Sequence, residues 1–421
     1  MKKIITVYLS IIVTFIIYST VSCENKKEVH IPNVIPLKST VGNYNILNLS
    51  DYVVEIMYKQ LETNDSVLIG TISQISYENE KIFIKSISNN LIYNCYLFDN
   101  NGKYFREIGQ YGQGPDDFNS LSEAYIYENF IYLMDSRLNK LFIYDTNGLF
   151  VEKINLQINE IINDHSEYDI HHVFPLKKDT FVMNVVSFFG YYPKAVLFDT
   201  YQSNSKRIKE YANYITLDKK QHGTSICEVG EMYRYKDEVR AYKALNDTIF
   251  TIGQNFDMKA VFIFDLGKYG PTISFIEQKE PIINFNNYII PDKIFESSEY
   301  LFINFFTGNY TNEPFEQISK SGWKSLNNIT YGVFNKNTGK LVLMKQPIQG
   351  KLGFKNDIDN GPVIWPHYIS SKNELVTHIS VEEFLDYYDK IENPSPQMTE
   401  IAKNAKMDDN PIVIIAELKV K

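Results

Sequence analysis

The side chains best equipped for chemistry are few and loosely spaced. His165, His171-His172, His367 and His378 supply imidazoles, but no HExxH, CxxC or histidine-rich spacing accompanies them. Adjacent histidines on a strand point to opposite faces, so no zinc set is expected. No Gly-x-Ser-x-Gly elbow is present for a serine hydrolase. Asn356-Asp357-Ile358-Asp359-Asn360-Gly361 gathers oxygen ligands as a calcium loop does, with Asp357 and Asp359 as the candidate ligands. It lacks the spaced Glu of an EF-hand, and a solvated Asx turn is the alternative. Gly109-x-x-Gly112-x-Gly114-Pro115 is neither a Walker A loop nor a dinucleotide fingerprint, and Asp116-Asp117 would repel an anion. A crossover between sheets that needs φ > 0 is the expected role of that segment. Catalytic carboxylates stay open, since 51 Asp and Glu offer many pairs that sequence cannot place in space.

Aromatic side chains say more. Phe188-Phe189-Gly190-Tyr191-Tyr192-Pro193, Trp323 within the stretch 307–328, and Trp365-Pro366-His367 all lie between or beside candidate strands. Tyr191, Tyr192, Trp323, Trp365 and His367 are therefore the candidate contacts for a ligand or partner, rings that stack on a sugar or grip a peptide. The competing reading is that these rings cap the sheets as ordinary packing.

The elements that must position these groups are strands. Residues 121–155 read as one four-stranded sheet: Leu121–Tyr127, Phe130–Asp135, Lys140–Asp145 and Leu149–Ile154, separated by Glu128-Asn129, Ser136–Asn139 and Thr146-Asn147-Gly148. The unit recurs. Third-strand anchors at Phe98, Tyr144, Phe198, Phe250 and Phe334 are spaced by roughly 50 residues until an insertion stretches the last interval. Asp99, Asp145, Asp199 and Asn335 follow four of those anchors, the Asx chemistry of tight turns. Repeated four-stranded units mark a β-propeller, and six are counted. The last unit reads as Val363–Ser371, Glu374–Ser380 and Pro411–Val420, interrupted by helical spacing over Val381–Ile391 and Pro396–Met407. It is one strand short, while Asp51–Leu61 is a strand without a unit, so the N-terminal strand is expected to complete the last blade and close the ring. The expected fold is thus all-β, a six-bladed propeller with a small helical insertion near the C-terminus.

Tight turns join first to second and third to fourth strands. The long segments 188–193, 307–328, 345–362 and 381–410 all fall in the other two connection classes, which share one face of the ring. Insertions concentrated on one face of a repeat array mark its binding face.

Lys2-Lys3 and the uncharged apolar run Ile4–Tyr18 form a signal peptide over 1–22, too short for a permanent spanning helix. The placement of Cys23 after Val21-Ser22 resembles a bacterial lipobox, although Thr20 stands where an aliphatic residue is usual; that resemblance implies lipidation of Cys23. Ordinary cleavage leaving a free Cys23 is the alternative. Residues 23–42 then form a flexible, lipidated tether and 43–421 the propeller. Net charge is −9 with no Lys/Arg block, which excludes a nucleic-acid backbone as partner. With three cysteines in 421 residues the fold does not rest on disulfides, and Cys95 and Cys227 read as small packed hydrophobes.

Gly102-Lys103-Tyr104-Phe105-Arg106-Glu107-Ile108-Gly109-Gln110-Tyr111-Gly112-Gln113-Gly114-Pro115 with Phe118, Leu245–Phe250 leading to Phe264–Gly267, and Asn360-Gly361-Pro362 with Trp365-Pro366 carry a family likeness. The chain resembles the bacterial six-bladed β-propeller lipoproteins related to NHL-repeat propellers. The resemblance implies a lipid-anchored cell-envelope protein, placed in the outer membrane, and carries over no catalytic residues. The leading functional reading is a non-enzymatic binding module for a protein, peptide or glycan on the long-loop face, attached to the membrane through its lipid and needing no cofactor beyond the calcium candidate. A propeller lyase or hydrolase with a polar site at the channel mouth is the alternative. Polar side chains converging on the channel would favour the enzyme, and a broad apolar patch a partner protein.

Overall fold

The computed structural model describes residues 31–420 except 89, 91, 157–167, 178–179, 188–195, 203–206, 213–229, 244–245, 277–281 and 319–323. Residues from Asn33 onward form one compact unit. Its sheets follow one another along the chain. The first holds Thr71–Glu78, Lys81–Ile87, Tyr93–Asp99 and Tyr104–Glu107, and the second Leu121–Tyr127, Phe130–Asp135, Lys140–Asp145 and Phe150–Asn155. The third holds Tyr168–Lys177, Thr180–Ser187, Val196–Gln202 and Arg207–Ala212. Gly230–Tyr235, Glu238–Lys243, Thr248–Ile252 and Met258–Phe264 make the fourth, and Ile290–Glu296, Tyr300–Phe306, Ile329–Asn335 and Lys340–Met344 the fifth. The last combines Tyr368–Ile369, Glu374–Ile379 and Ile412–Leu418 with Val53–Gln60 from the other end of the chain.

The first strand of each sheet touches the first strand of the next, and Tyr368–Ile369 touches Thr71–Glu78. These innermost strands therefore surround a common axis, the β-propeller arrangement. Five sheets are blades described largely with their side chains, against the six expected. The Tyr168–Ala212 sheet is described chiefly through its backbone pairing.

Local chemistry explains the repeat. Asp99 Oδ1 accepts from the backbone N–H of Asn101 and Lys103, Asp145 Oδ1 from Asn147 and Leu149, and Asn335 Oδ1 from Asn337 and Thr338. Each side chain satisfies turn donors that the ladder leaves orphaned, which is why an Asx residue follows the third-strand aromatic. Accepting the Leu149 amide leads the interactions that lower the Asp145 carboxyl below its usual range. Gly148 closes its turn at φ +74, and Glu128 adopts φ +52 in the preceding one. Gly109 sits at φ +69, where an added Cβ would meet Phe118 and the Tyr144 hydroxyl at 3.0 Å. That segment is a crossover between the first two sheets, with Gly114 N–H donating to Asp117 Oδ2 at 2.7 Å.

Closure uses both chain ends. Val53–Gln60 pairs antiparallel with Ile412–Leu418 as the outermost strand of the last sheet. The interrupting helices span Val381–Tyr388 and Pro396–Asn404, each begun by a serine whose hydroxyl accepts a backbone N–H: Ser380 from Glu383 and Ser395 from Met398. They pack on the closing strand, with Tyr58 edge-on to Phe384 and Gln397 Nε2 donating to the Tyr58 carbonyl at 2.9 Å. The expected tether is shorter than 23–42. Asn33–Ile35 pairs parallel with Phe262–Phe264, Tyr44–Asn45 pairs parallel with Leu343–Met344, and Ile35 and Leu37 are fully buried. Burial of Ile35 and Leu37 docks the segment, and the added strands cover sheet edges that would otherwise be open. Cys95 is free and buried, and burial pushes its thiol up to about 12; Cys227 lies outside the described residues. No helix among the described residues is long and apolar enough to cross a membrane.

Candidate ligand site at the channel mouth

Each innermost strand carries, or is directly preceded by, a polar residue next to a core-facing position. These are Gln74 before Ile75, Glu123 before Ala124, His172 before Val173, Glu231 before Met232, Lys293 before Ile294 and His367 before Tyr368. Register confirms the equivalence: Gln74 faces Lys85, Glu123 faces Met134, His172 faces Asn184 and Glu231 faces Tyr242 on the second strand of each sheet. The ladder slips just ahead of four of these positions, between Ile72 and Gln74, Leu121 and Glu123, Ile170 and His172, and Pro291 and Ile294. A β-bulge bends a strand and re-aims the next side chain, so the recurrence is a shared device for turning a polar group toward the axis. Glu231 and His367 stand at the start of their strands, and Gln74, Glu123, His172 and Lys293 lie further along theirs.

The members are linked around the ring. Ala124 N–H donates to Gln74 Oε1 at 2.9 Å. Glu123 Oε2 holds His172 Nδ1 at 2.8 Å, and Glu231 Oε2 lies 3.8 Å from Nε2 of the same ring. Burial raises the Glu231 carboxyl above its ordinary range, opposed by His172 and Lys293 and reinforced by Glu123 and Asp292. Burial also raises Asp292, opposed by Lys293. Lys85, beneath Gln74, donates Nζ to the Ser122 carbonyl at 3.1 Å, and burial lowers its ammonium to about 8.

His367 closes the series. Its Nδ1 lies 3.0 Å from Thr377 Oγ1, and its ring centroid is 4.9 Å from that of His378. Burial lowers both imidazoles to about 4, with His378 and Lys293 adding to the effect at His367. His367 is nonetheless exposed to solvent. Water access with protein on all sides is what a channel-lining group experiences.

Of the two candidate contacts among the described residues, His367 belongs to this series and Trp365 does not. Trp365 is a correction. It is 6% exposed, stacked on Tyr331 at 4.5 Å, edge-on to Phe302, with Nε1 donating to Asn304 Oδ1 at 2.7 Å. A ring this enclosed supports the ring's footing between two sheets and cannot stack on a ligand. Tyr191, Tyr192 and Trp323 lie outside the described residues, as do Cys23, His165 and the side chain of His171. Asp357 and Asp359 spend their oxygens internally: Asp357 accepts from Ser50 N–H and Oγ, and Asp359 Oδ1 from Tyr58, Asn356 and Gly361. Among the described residues no group of three His, Cys, Asp or Glu is placed to hold a metal ion. The five ring members other than His367 escaped the sequence reading. The signal was a polar residue just inside the first strand of every repeat, hidden because its type changes from sheet to sheet.

Solved structures share the fold. A protein described as exported, from Bacteroides fragilis NCTC 9343, is 17% identical over 90% of this chain and 98% of its own, with a TM-score of 0.63. A member of the DUF4221 family from Bacteroides vulgatus is 12% identical over 88% of this chain and 97% of its own, at 0.50. A catalytically inactive virginiamycin B lyase from Staphylococcus aureus, crystallised with quinupristin, covers 86% of this chain at 11% identity and 0.41, too loose a likeness to argue from. No curated protein matches. A family model described as a domain of unknown function matches residues 32–417, and the chain belongs to that family, DUF4934.

Proposed function

We propose that this chain is an exported, lipid-anchored six-bladed propeller of the cell envelope that binds a small polar ligand at the long-loop mouth of its channel. The observation that carries the reading is the linked series from Gln74 through Glu123, His172, Glu231 and Lys293 to His367. Polar groups turned inward from successive sheets suit a ligand held by hydrogen bonds and charge better than a flat protein interface, whose centre is depleted in charge. Six sheets following one another in sequence support the count of six blades. The signal-like leader and Cys23 support export and lipidation, in keeping with the exported neighbour. The long connections, with Tyr191, Tyr192 and Trp323, are the proposed rim for a larger glycan, peptide or protein carrying that ligand.

A propeller lyase or hydrolase is the second reading, favoured by one observation. Glu123 grips His172 Nδ1, the arrangement that orients an imidazole for proton transfer. The deciding experiment exposes purified wild type, Glu123→Gln and His172→Gln to an envelope extract and identifies captured species by native mass spectrometry. A species held by wild type and lost from both folded variants supports binding at the ring. Identical capture by all three would remove the ring from the site. A species that is transformed by wild type alone would favour the enzyme.

A further inference from the structure

At the opposite end of the channel lies a cation with no counter-ion within ion-pair distance among the described residues. Arg234 belongs to Gly230–Tyr235, the innermost strand of the fourth sheet, close to its tight turn at Lys236, where φ is +54. Its guanidinium carbon sits 3.5 Å from the centroid of the Tyr127 ring. Tyr127 ends the innermost strand of the second sheet, so the side chain passes the intervening third sheet to reach it. Its charge also bears on Tyr368, on the innermost strand of the last sheet. A residue near the innermost strands two sheets away on either side stands on the axis.

The guanidinium is poorly satisfied there. Nε and Nη2 are buried and have no hydrogen-bond partner, and Nη1 has a single 3.5 Å contact to the Lys236 carbonyl. No carboxylate lies within ion-pair distance of it among the described residues. Glu128, whose charge acts on it, is exposed on the first tight turn of the second sheet. The other groups acting on it are the phenols Tyr127, Tyr125 and Tyr132, neutral at physiological pH. Unmade hydrogen bonds to a buried charged group are costly, and the stacked Tyr127 face offsets only part of that. Arginine's fork is matched to oxyanions and is always charged.

We propose that Arg234 is the anchor of an oxyanion site at the tight-turn end of the channel, taking the carboxylate or phosphate group of a small ligand. A bound oxyanion draws the buried, unpartnered Nε and Nη2 N–H groups into hydrogen bonds. The site is distinct from the polar ring at the other mouth and does not rest on that reading.

The test is titration of the purified protein with sodium phosphate and, separately, sodium acetate against sodium chloride at equal ionic strength, read by calorimetry and thermal melting. Saturable binding of either anion by wild type is expected, at least tenfold weaker in Arg234→Lys and absent in Arg234→Met. Response to phosphate alone or to acetate alone identifies which group the site takes. Absence of saturable binding of both anions to wild type overturns the proposal, as does undiminished affinity in Arg234→Lys. If Arg234→Met fails to fold, those two measurements decide.

Discussion

His367 and His378 make the stability of the last sheet sensitive to acid. Both imidazoles titrate near 4 in the fold, below their ordinary value of 6.5, because burial disfavours the charged form. The unfolded chain therefore binds more protons between those values, and stability falls as pH drops from 6.5 toward 4. Carboxylates contribute at the lower end, so the comparison must be internal. The double variant His367→Gln, His378→Gln is expected to show a flatter loss of denaturation midpoint across that window than wild type, and equal slopes would refute the assignment. Trp365 offers a second residue-scale check. Trp365→Phe keeps most packing but leaves Asn304 Oδ1 without its donor, an expected loss of about 1–3 kcal/mol. Trp365→Ala should cost about 3–5 kcal/mol. Urea unfolding measures both, and a neutral Trp365→Ala would return the indole to the surface. Its burial was not legible in sequence, since a tryptophan beside Pro366 between strands reads equally as rim or as packing.

At the scale of elements, the strands and turns of the second sheet were legible nearly to the residue, because short apolar runs bounded by Asx turns are local chemistry. The helices after Ser380 and Ser395 were legible too, from the helical spacing over Val381–Ile391 and Pro396–Met407. The docking of Asn33–Leu37 was not, since it depends on where a distant sheet edge happens to lie. Truncations separate the cases. Deletion of 24–32 is expected to leave the melting temperature unchanged. Deletion of 24–40 removes fully buried Ile35 and Leu37, about 3–6 kcal/mol of burial, and should lower it by several degrees. Deletion of 43–61 removes Leu47, Leu49, Val53, Tyr58 and Leu61, each buried and worth about 1.5–3 kcal/mol. That sum rivals a typical net stability of about 5–15 kcal/mol, so the shortened chain should not fold. Equal melts for all three would refute closure by the N-terminal strand.

For the whole molecule, the propeller was legible because its repeat is written in sequence, whereas the polar ring arises only when unlike residues from successive sheets meet at one level. The β-bulges that align Gln74, Glu123 and His172 leave no mark of their own in residue type. The proposed membrane attachment is tested at this scale as well. Cys23→Ala is expected to move the protein from the membrane to the soluble envelope fraction, since each buried acyl CH₂ adds about 0.8 kcal/mol of membrane affinity. Unchanged fractionation would refute the anchor.

The pairing of Val53–Gln60 with Ile412–Leu418 also sets a schedule. The first of these strands is made near the beginning of synthesis and the second near the end. At a usual rate of about 5–20 residues per second, the early strand waits on the order of tens of seconds for its neighbour to exist. No length of chain that lacks Ile412–Leu418 can complete the circle, so the last sheet waits for that strand to be made. A molecule built this way stays open and extensible until its late strand arrives, and only then does the ring lock.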